Sequence, residues 1–273
     1  MTWPAQAVTT LNHFIAVERG QKSNQNYLII HCGTRNLGKV VFDYYEDKAL
    51  HIREDHFRTL KYIRDNAIKV AAQEGRYEDI SSIADNYKRE EERLPKELAY
   101  LEGEAMNDYL YDMSLLRKWS GLNHYVIATE IADALGSEID VFDNMITSIH
   151  NYVDVEHGII RKGAISARAG ECGIIPMNMR DGSLLVIGKG NEDYLWSAPH
   201  GAGRIMSRSQ AKRELNLQRY RDEMSGIYST SVCSSTIDEA PDAYKKMEDI
   251  LPAIKPTVDV IERTIPVYNF KAK

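Results

Sequence analysis

The chain has 273 residues, 43% of them hydrophobic and 27% charged, with a formal net charge of −6. That length accommodates one large domain or two small ones around a sizeable core, and the acidic balance excludes a protein that coats nucleic acid by bulk charge. No apolar run approaches the roughly 20 residues of a membrane helix, Met1-Thr2-Trp3-Pro4 lacks a secretory pattern, and three widely spaced cysteines (Cys32, Cys172, Cys233) argue against a disulfide framework and for a reducing, cytoplasmic setting.

From Met1 to about Tyr45, short apolar runs are broken by Gly and Asn. Gln25 to His31 reads as a buried strand that enters a turn at Cys32-Gly33-Thr34-Arg35-Asn36-Leu37-Gly38. From about Glu54 to Leu135, glycine is sparse and apolar residues recur at three- and four-residue spacing, with Leu94, Leu98, Leu101 and Ala105 as one stripe and Tyr109, Met113 and Leu116 as another. That spacing predicts several helices, with Pro95 in a first turn and Gly136 as a C-terminal cap. From about Ile139 to Lys273, strands and glycine turns return, with short helices expected over Ser209–Tyr220 and Ala240–Ile250. The fold class is therefore α+β: a mixed-sheet core in a single domain, carrying a helical insertion at about 54–135. There is no internal repeat.

Of eight histidines, four sit beside small or glycine-rich polar sequence: His13, His31, His150 and His200. Imidazole suits Zn, Mn, Fe, Ni and Cu, and a ligand at a strand end is aimed with little freedom. Taken singly, each is more often a structural histidine, and no HExxH or CxxC spacing raises the odds. His51, His56, His124 and His157 lie among charged or helical residues and read as structural. The densest signal is Pro199-His200-Gly201-Ala202-Gly203-Arg204. Glycines let backbone amides approach an anion closely. A histidine heading such a loop can attack phosphorus and hold the phosphoryl group on nitrogen; a tight turn with a structural histidine is the plainer reading. Between Arg204 and Arg221 there are six basic residues against one acid, Glu214, which suits phosphate contacts or simply a solvated helix face. Arg161-Lys162 adds two bases near a second glycine cluster.

Several blocks in order resemble the RtcB family of RNA ligases. They are Leu11-Asn12-His13-Phe14-Ile15, His31-Cys32-Gly33-Thr34-Arg35-Asn36-Leu37-Gly38, His150-Asn151-Tyr152-Val153, Arg161-Lys162-Gly163-Ala164, Gly173-Ile174-Ile175-Pro176, His200-Gly201-Ala202-Gly203-Arg204 with Ser207-Arg208, and Asp238 to Lys245. The resemblance covers nearly the whole chain. It implies a GTP- and Mn-dependent ligase for RNA repair or tRNA splicing, joining a 3'-phosphate or 2',3'-cyclic phosphate end to a 5'-hydroxyl end through a guanylylated histidine, here His200. It further implies metal ligands at His13, His31 and His150, phosphate-contacting arginines at Arg35 and Arg208, and nucleotide contacts at Asn12, Asn151, Pro176, Ser183, Gly201, Ala202, Gly203 and Lys271.

The chain also departs from the family pattern. The upstream element with a metal-bridging cysteine is expected to be missing, with none of the three cysteines replacing it, so the site is expected to hold one or two ions more weakly. Ala16 stands where the family commonly has glutamate near the guanine, which implies relaxed guanine specificity, and Met177-Asn178 stands where the family has smaller residues. Three functions follow: an RNA ligase acting alone, with an activating protein, or with a second chain that supplies the missing segment; a ligation-deficient relative that binds nucleotide, metal or RNA ends; and a metal-dependent phosphoesterase.

Overall fold

The computed structural model describes residues 13–93 and 95–271. The chain divides into two compact units, one of Met1–Arg35 with Arg117–Lys273, the other of Asn36–Leu116. The α+β class read from the sequence is borne out.

The first unit is built on a five-stranded antiparallel sheet in the order β2-β1-β9-β7-β6. Its strands are β1 (Phe14–Gly20), β2 (Asn26–His31), β6 (Cys172–Asn178), β7 (Gly182–Gly188) and β9 (Val258–Lys271). The long β9 holds the sheet together. Its C-terminal half pairs with β1, from Phe14↔Lys271 to Gly20↔Thr264, and its N-terminal half pairs with β7. The alternation of β1 places Ala16, Glu18 and Gly20 on the buried side. A hairpin at Gly182 joins β6 to β7. Its φ is +74, and a Cβ there would lie 2.1 Å from the Thr264 carbonyl oxygen, so only glycine fits.

Two small ribbons flank the sheet's sequence: β3 (Tyr152–Asp154) with β4 (Ile159–Arg161), and β5 (Ala164–Ser166) with β8 (Ser197–Pro199). One core cluster joins Ile165, Ile175, Leu184, Val186 and Val258 to Ile250 and Ile254 of α7 (Met247–Ile254). Each such side chain contributes about 1.5–3 kcal/mol on burial. A second cluster gathers Met179, Tyr220, Met224 and Ile237.

The helical stretch begins earlier than the sequence suggests. Helix α1 runs Arg35–Gln73, followed by α2 (Asp79–Arg93) and α3 (Gly103–Ala134). Gly38 and the glycine-rich approach disguised the start of α1. The leucine stripe does not lie on one helix, because Pro95 caps a 3₁₀ turn at Lys96–Leu98 before α3 begins; Leu94 lies outside the described residues. Gly136 follows α3 with φ +66, as expected of a C-terminal cap. The expected helix over Ser209–Tyr220 is two, α5 (Arg208–Glu214) and α6 (Leu217–Glu223), because the Asn216 side chain caps a new N-terminus by accepting from the Arg219 amide. The expected helix over Ala240–Ile250 is instead a 3₁₀ turn at Pro241–Ala243 followed by α7. The short α4 (Val141–Asn144) completes the set.

Among the described residues, no helix is long and apolar enough to cross a membrane. The three cysteines are free thiols.

Candidate functional site

The sheet unit encloses a cavity of about 340 Å³ lined by His31, His150 and His200, by the Pro176 backbone region and the Gly201-Ala202-Gly203 loop, and by Arg204, Arg208, Glu239 and Lys271. That volume falls in the range of small-molecule sites.

Strand ends bring the imidazoles together. His31 closes β2, His13 immediately precedes β1, His150 lies just before β3, and His200 follows β8. Their ring centroids form a chain: His13 to His31 at 6.5 Å, His31 to His150 at 5.4 Å, and His150 to His200 at 4.5 Å. Phe14 stacks on His31 at 5.3 Å, fixing the ring. Burial, reinforced by the neighbouring His150, His13 and Lys271, pulls His31 down to about 3. Burial and His200 lower His150 as well. Both rings are therefore neutral near pH 7, with lone pairs available. The Nδ1 of His150 is buried and has no hydrogen-bond partner. Neutral imidazoles and an orphaned buried nitrogen fit a divalent cation in donor chemistry. The ligand set is not closed, however: among the described residues, no group of three or more His, Cys, Asp or Glu side chains is arranged to hold an ion.

His200 is held differently. Its Nδ1 lies 2.7 Å from the Gly163 carbonyl oxygen. A carbonyl only accepts, so Nδ1 carries the proton and Nε2 carries the lone pair. Gly163 is itself held by Asn151, whose Oδ1 accepts from the Gly163 amide at 2.6 Å. Gly163 has φ +66, and a Cβ there would come 3.5 Å from the His200 ring. Asn151 and Gly163 thus form the support that fixes the tautomer and aim of His200.

The basic residues divide between cavity and scaffold. Arg208 pairs with Asp238 at 2.8 Å and Glu239 at 2.7 Å, and Arg204 donates to Glu239 at 3.4 Å and to the Asp238 carbonyl at 2.5 Å. Lys271 is 7% exposed and pairs with Glu239. Burial raises the Glu239 carboxyl, but Lys271, Tyr244 and Arg208 outweigh it and hold the group below the usual range. Arg204, Arg208 and Lys271 thus line the cavity with Glu239 and Glu18, and Asp238 pairs with Arg208 just behind the lining, so the cations are largely matched by carboxylates. Arg219 is absorbed by Glu223 and Asp242, and Arg161 is a buried scaffold residue tied to Asp154, Tyr152 and Ser197.

Of the residues singled out from sequence, His31, His150, His200, Pro176, Gly201, Ala202, Gly203, Arg208 and Lys271 line one cavity. His13 adjoins it through His31. Asn151 acts through Gly163, and Ser183 is fully buried behind the wall, where its hydroxyl donates to Glu18 at 3.2 Å. Arg35 opens α1, but its side chain and all of Asn12 lie outside the described residues. Glu18, Phe14, Glu239, Tyr244 and Asn269 were not singled out. Phe14, Glu239 and Tyr244 lie inside blocks that carry the family resemblance, and for Glu18 the available signal was the alternation of β1, which puts a carboxylate on the buried side. Three of the four histidines set aside as structural have ordinary partners: His51 the Asp47 carbonyl at 2.7 Å, His124 the Cys32 carbonyl at 2.9 Å, and His157 the Asp154 carboxylate at 3.0 Å.

The depressed His31 has a stability consequence. Below pH 6.5 the unfolded chain protonates this ring, whereas the folded chain does not until about pH 3. Its contribution is therefore whole above pH 6.5 and is lost as the pH falls, by at most about 1.4 kcal/mol per unit. Urea titrations with chelator at pH 7, 6 and 5 are expected to show this decline, with a shallower slope in His31→Phe; equal slopes would refute the assignment.

Comparison with known proteins gives the same direction. The profile of the tRNA-splicing ligase RtcB family matches residues 5–272. The RNA-splicing ligase RtcB of Escherichia coli K12 is 29% identical over 268 residues, which cover 92% of this chain and 57% of that protein. The tRNA-splicing ligase RtcB of Archaeoglobus fulgidus is 26% identical over 284 residues, 91% of this chain and 51% of that protein. That of Aeropyrum pernix is 32% identical over 169 residues, 54% and 35% respectively. The chain spans about half the length of the first two relatives. With the family model matching residues 5–272, nearly the whole chain, the chain belongs to the RtcB family.

Proposed function

We propose that this chain, alone or with a second chain or an activating protein, acts as a GTP- and Mn-dependent RNA ligase that joins 3'-phosphate or 2',3'-cyclic phosphate ends to 5'-hydroxyl ends. The observation that carries this reading is His200, an imidazole whose Nδ1 is committed to the Gly163 carbonyl and which lines a cavity shared with Arg204, Arg208 and Lys271. The fixed tautomer leaves Nε2 of the neutral ring with its lone pair, as attack on phosphorus requires.

In this reading His200 Nε2 attacks the α-phosphorus of GTP. A P–N bond forms, the bond to the β-phosphate oxygen breaks, and pyrophosphate leaves. An oxygen of the RNA 3'-phosphate (formed from a 2',3'-cyclic end when water adds at phosphorus and the bond to O2' breaks) then takes the guanylate, returning the lone pair to Nε2. The 5'-hydroxyl finally attacks the activated 3'-phosphorus, and GMP departs. Arg208 and Lys271 hold the phosphates, and the backbone of Gly201 to Gly203 approaches them closely. Mn would be held by His31 and His150, with His13 adjoining, and would offset charge on the reacting oxygens.

Incubation with GTP labelled at the α-phosphate and with Mn is expected to leave label on the protein that is labile to acid and stable to base. Added RNA with 3'-phosphate and 5'-hydroxyl ends is then expected to be joined. The open ligand set among the described residues favours a second reading, a ligation-deficient member that binds nucleotide or RNA ends. Nucleotide binding without protein label at any Mn concentration decides for it.

A further inference from the structure

We propose that a groove in the helical unit docks a basic, amphipathic segment of another protein. The groove lies wholly within Asn36–Leu116 and shares no residue with the histidine cavity, so the inference does not depend on the ligase reading.

On α1, Phe42, Tyr45, Glu46, Ala49 and Leu50 recur at three- and four-residue spacing, so they share one face of the helix. Tyr100 and Leu101, from the link before α3, and Tyr109 of α3 help to complete a pocket of about 280 Å³. Contacts fix its floor. Tyr45 is buried, donates to Asp112 at 2.7 Å, and packs edge-on against Tyr109 at 5.2 Å. Phe42 and Tyr100, also on the lining, are each more than half exposed. Aromatic side chains placed in this way offer large contact area at little entropic cost, which is why they anchor interfaces.

Charge decides what covers it. Asn36–Leu116 carries 18 Asp and Glu against 12 Lys and Arg, so the net charge of −6 arises in this unit and the rest of the chain is balanced. The imbalance is concentrated at the groove: residues 42–50 and 96–109 together hold seven acids and two bases. Glu46 and Glu97 lie on the lining with Lys96 as its only base, and both carboxylates are exposed. Such a surface repels an RNA backbone. A second copy presenting the same groove would bring like charges together. A polypeptide whose lysines or arginines flank an apolar stripe is complementary: its apolar residues enter the pocket while its bases meet Glu46 and Glu97.

Fluorescence anisotropy with the whole chain tests this. The probe is a labelled peptide of lysine and leucine, about 18 residues long, with its leucines at helical spacing; a shuffled peptide of the same composition is the control. The striped peptide is expected to bind at least about tenfold tighter than the shuffled one, because only it presents an apolar helix face. Glu46→Lys with Glu97→Lys, and separately Phe42→Ser with Tyr100→Ser, are each expected to weaken it by about tenfold or more. All four side chains are exposed, so the fold should survive. Glu78→Lys with Asp85→Lys makes the same change in net charge outside the pocket lining and is expected to move affinity by less than about threefold. Equal losses in the two charge variants, or equal affinities of the two peptides, overturn the proposal, since binding would then be bulk electrostatics. A striped peptide that does not bind at about 1 mM overturns it as well. Labelled single-stranded RNA that binds the wild-type chain but not Phe42→Ser with Tyr100→Ser would make the groove a nucleic-acid site, with the same result.

Discussion

Replacing His200 by alanine is expected to reduce guanylate labelling of the protein by more than about a thousandfold, because no other group replaces a lost nucleophile. The expectation is sharp because the ring is half-buried and its one committed contact is a hydrogen bond from Nδ1 to the Gly163 carbonyl. Removing that bond costs only about 1 kcal/mol of stability. Folding and nucleotide binding should therefore survive, and the loss should be confined to the covalent step. The Gly163 carbonyl left behind still accepts from the residue 200 amide at 3.3 Å, so the loop keeps its anchor. Scintillation counting of acid-labile label, run beside nucleotide titration of the same variant, separates the two effects. Label that persists at the wild-type level in His200→Ala would place the nucleophile elsewhere and remove the chief support for ligation.

Much of this site was legible because it is built from local signals. His31 follows an apolar run that can only be a strand, and His200 heads a glycine loop whose backbone conformation is written in the residues themselves. The helical unit was legible for the same reason, through three- and four-residue spacing, although Gly38 hid the first turns of α1. What stayed illegible depends on partners far away in the chain. The basic run from Arg204 to Arg221 reads as a free cationic face. In the fold, Asp238, Glu239 and Asp242 come up beside it and neutralise much of it. Glu18 and Asn269 look like surface residues until β1 pairs with β9, a register spanning most of the chain. Polar residues become informative only once burial is known, and burial here is decided by pairing that no local pattern encodes. The split of the expected Ser209–Tyr220 helix is a milder case: the capping signal of Asn216 was present, but helical spacing continued across it.

Glu239→Ala is expected to cost about 3–5 kcal/mol of unfolding free energy, the usual penalty for stranding a buried charge. Glu239 is 3% exposed and answers four groups at once: Lys271, Arg208 at 2.7 Å, Arg204 at 3.4 Å and the Tyr244 hydroxyl at 2.7 Å. Arg208 and Arg204 keep other acceptors, in Asp238 and in the carbonyls of Asp238 and Met206. Lys271 has only Glu239 as an acidic partner among the described residues, so the penalty falls chiefly on its ammonium. The pair Glu239→Leu with Lys271→Met should therefore be less destabilised than Glu239→Ala alone, since both charges leave the interior together. Nucleotide affinity should behave oppositely. The double variant has lost one of the three cations that line the cavity and should bind GTP at least tenfold more weakly than wild type, despite its recovered stability. Urea denaturation and nucleotide titration on the two variants separate scaffold from ligand contact. A double variant that is no more stable than Glu239→Ala would show that Glu239 is held for its bonds to the arginines and Tyr244, with Lys271 a bystander.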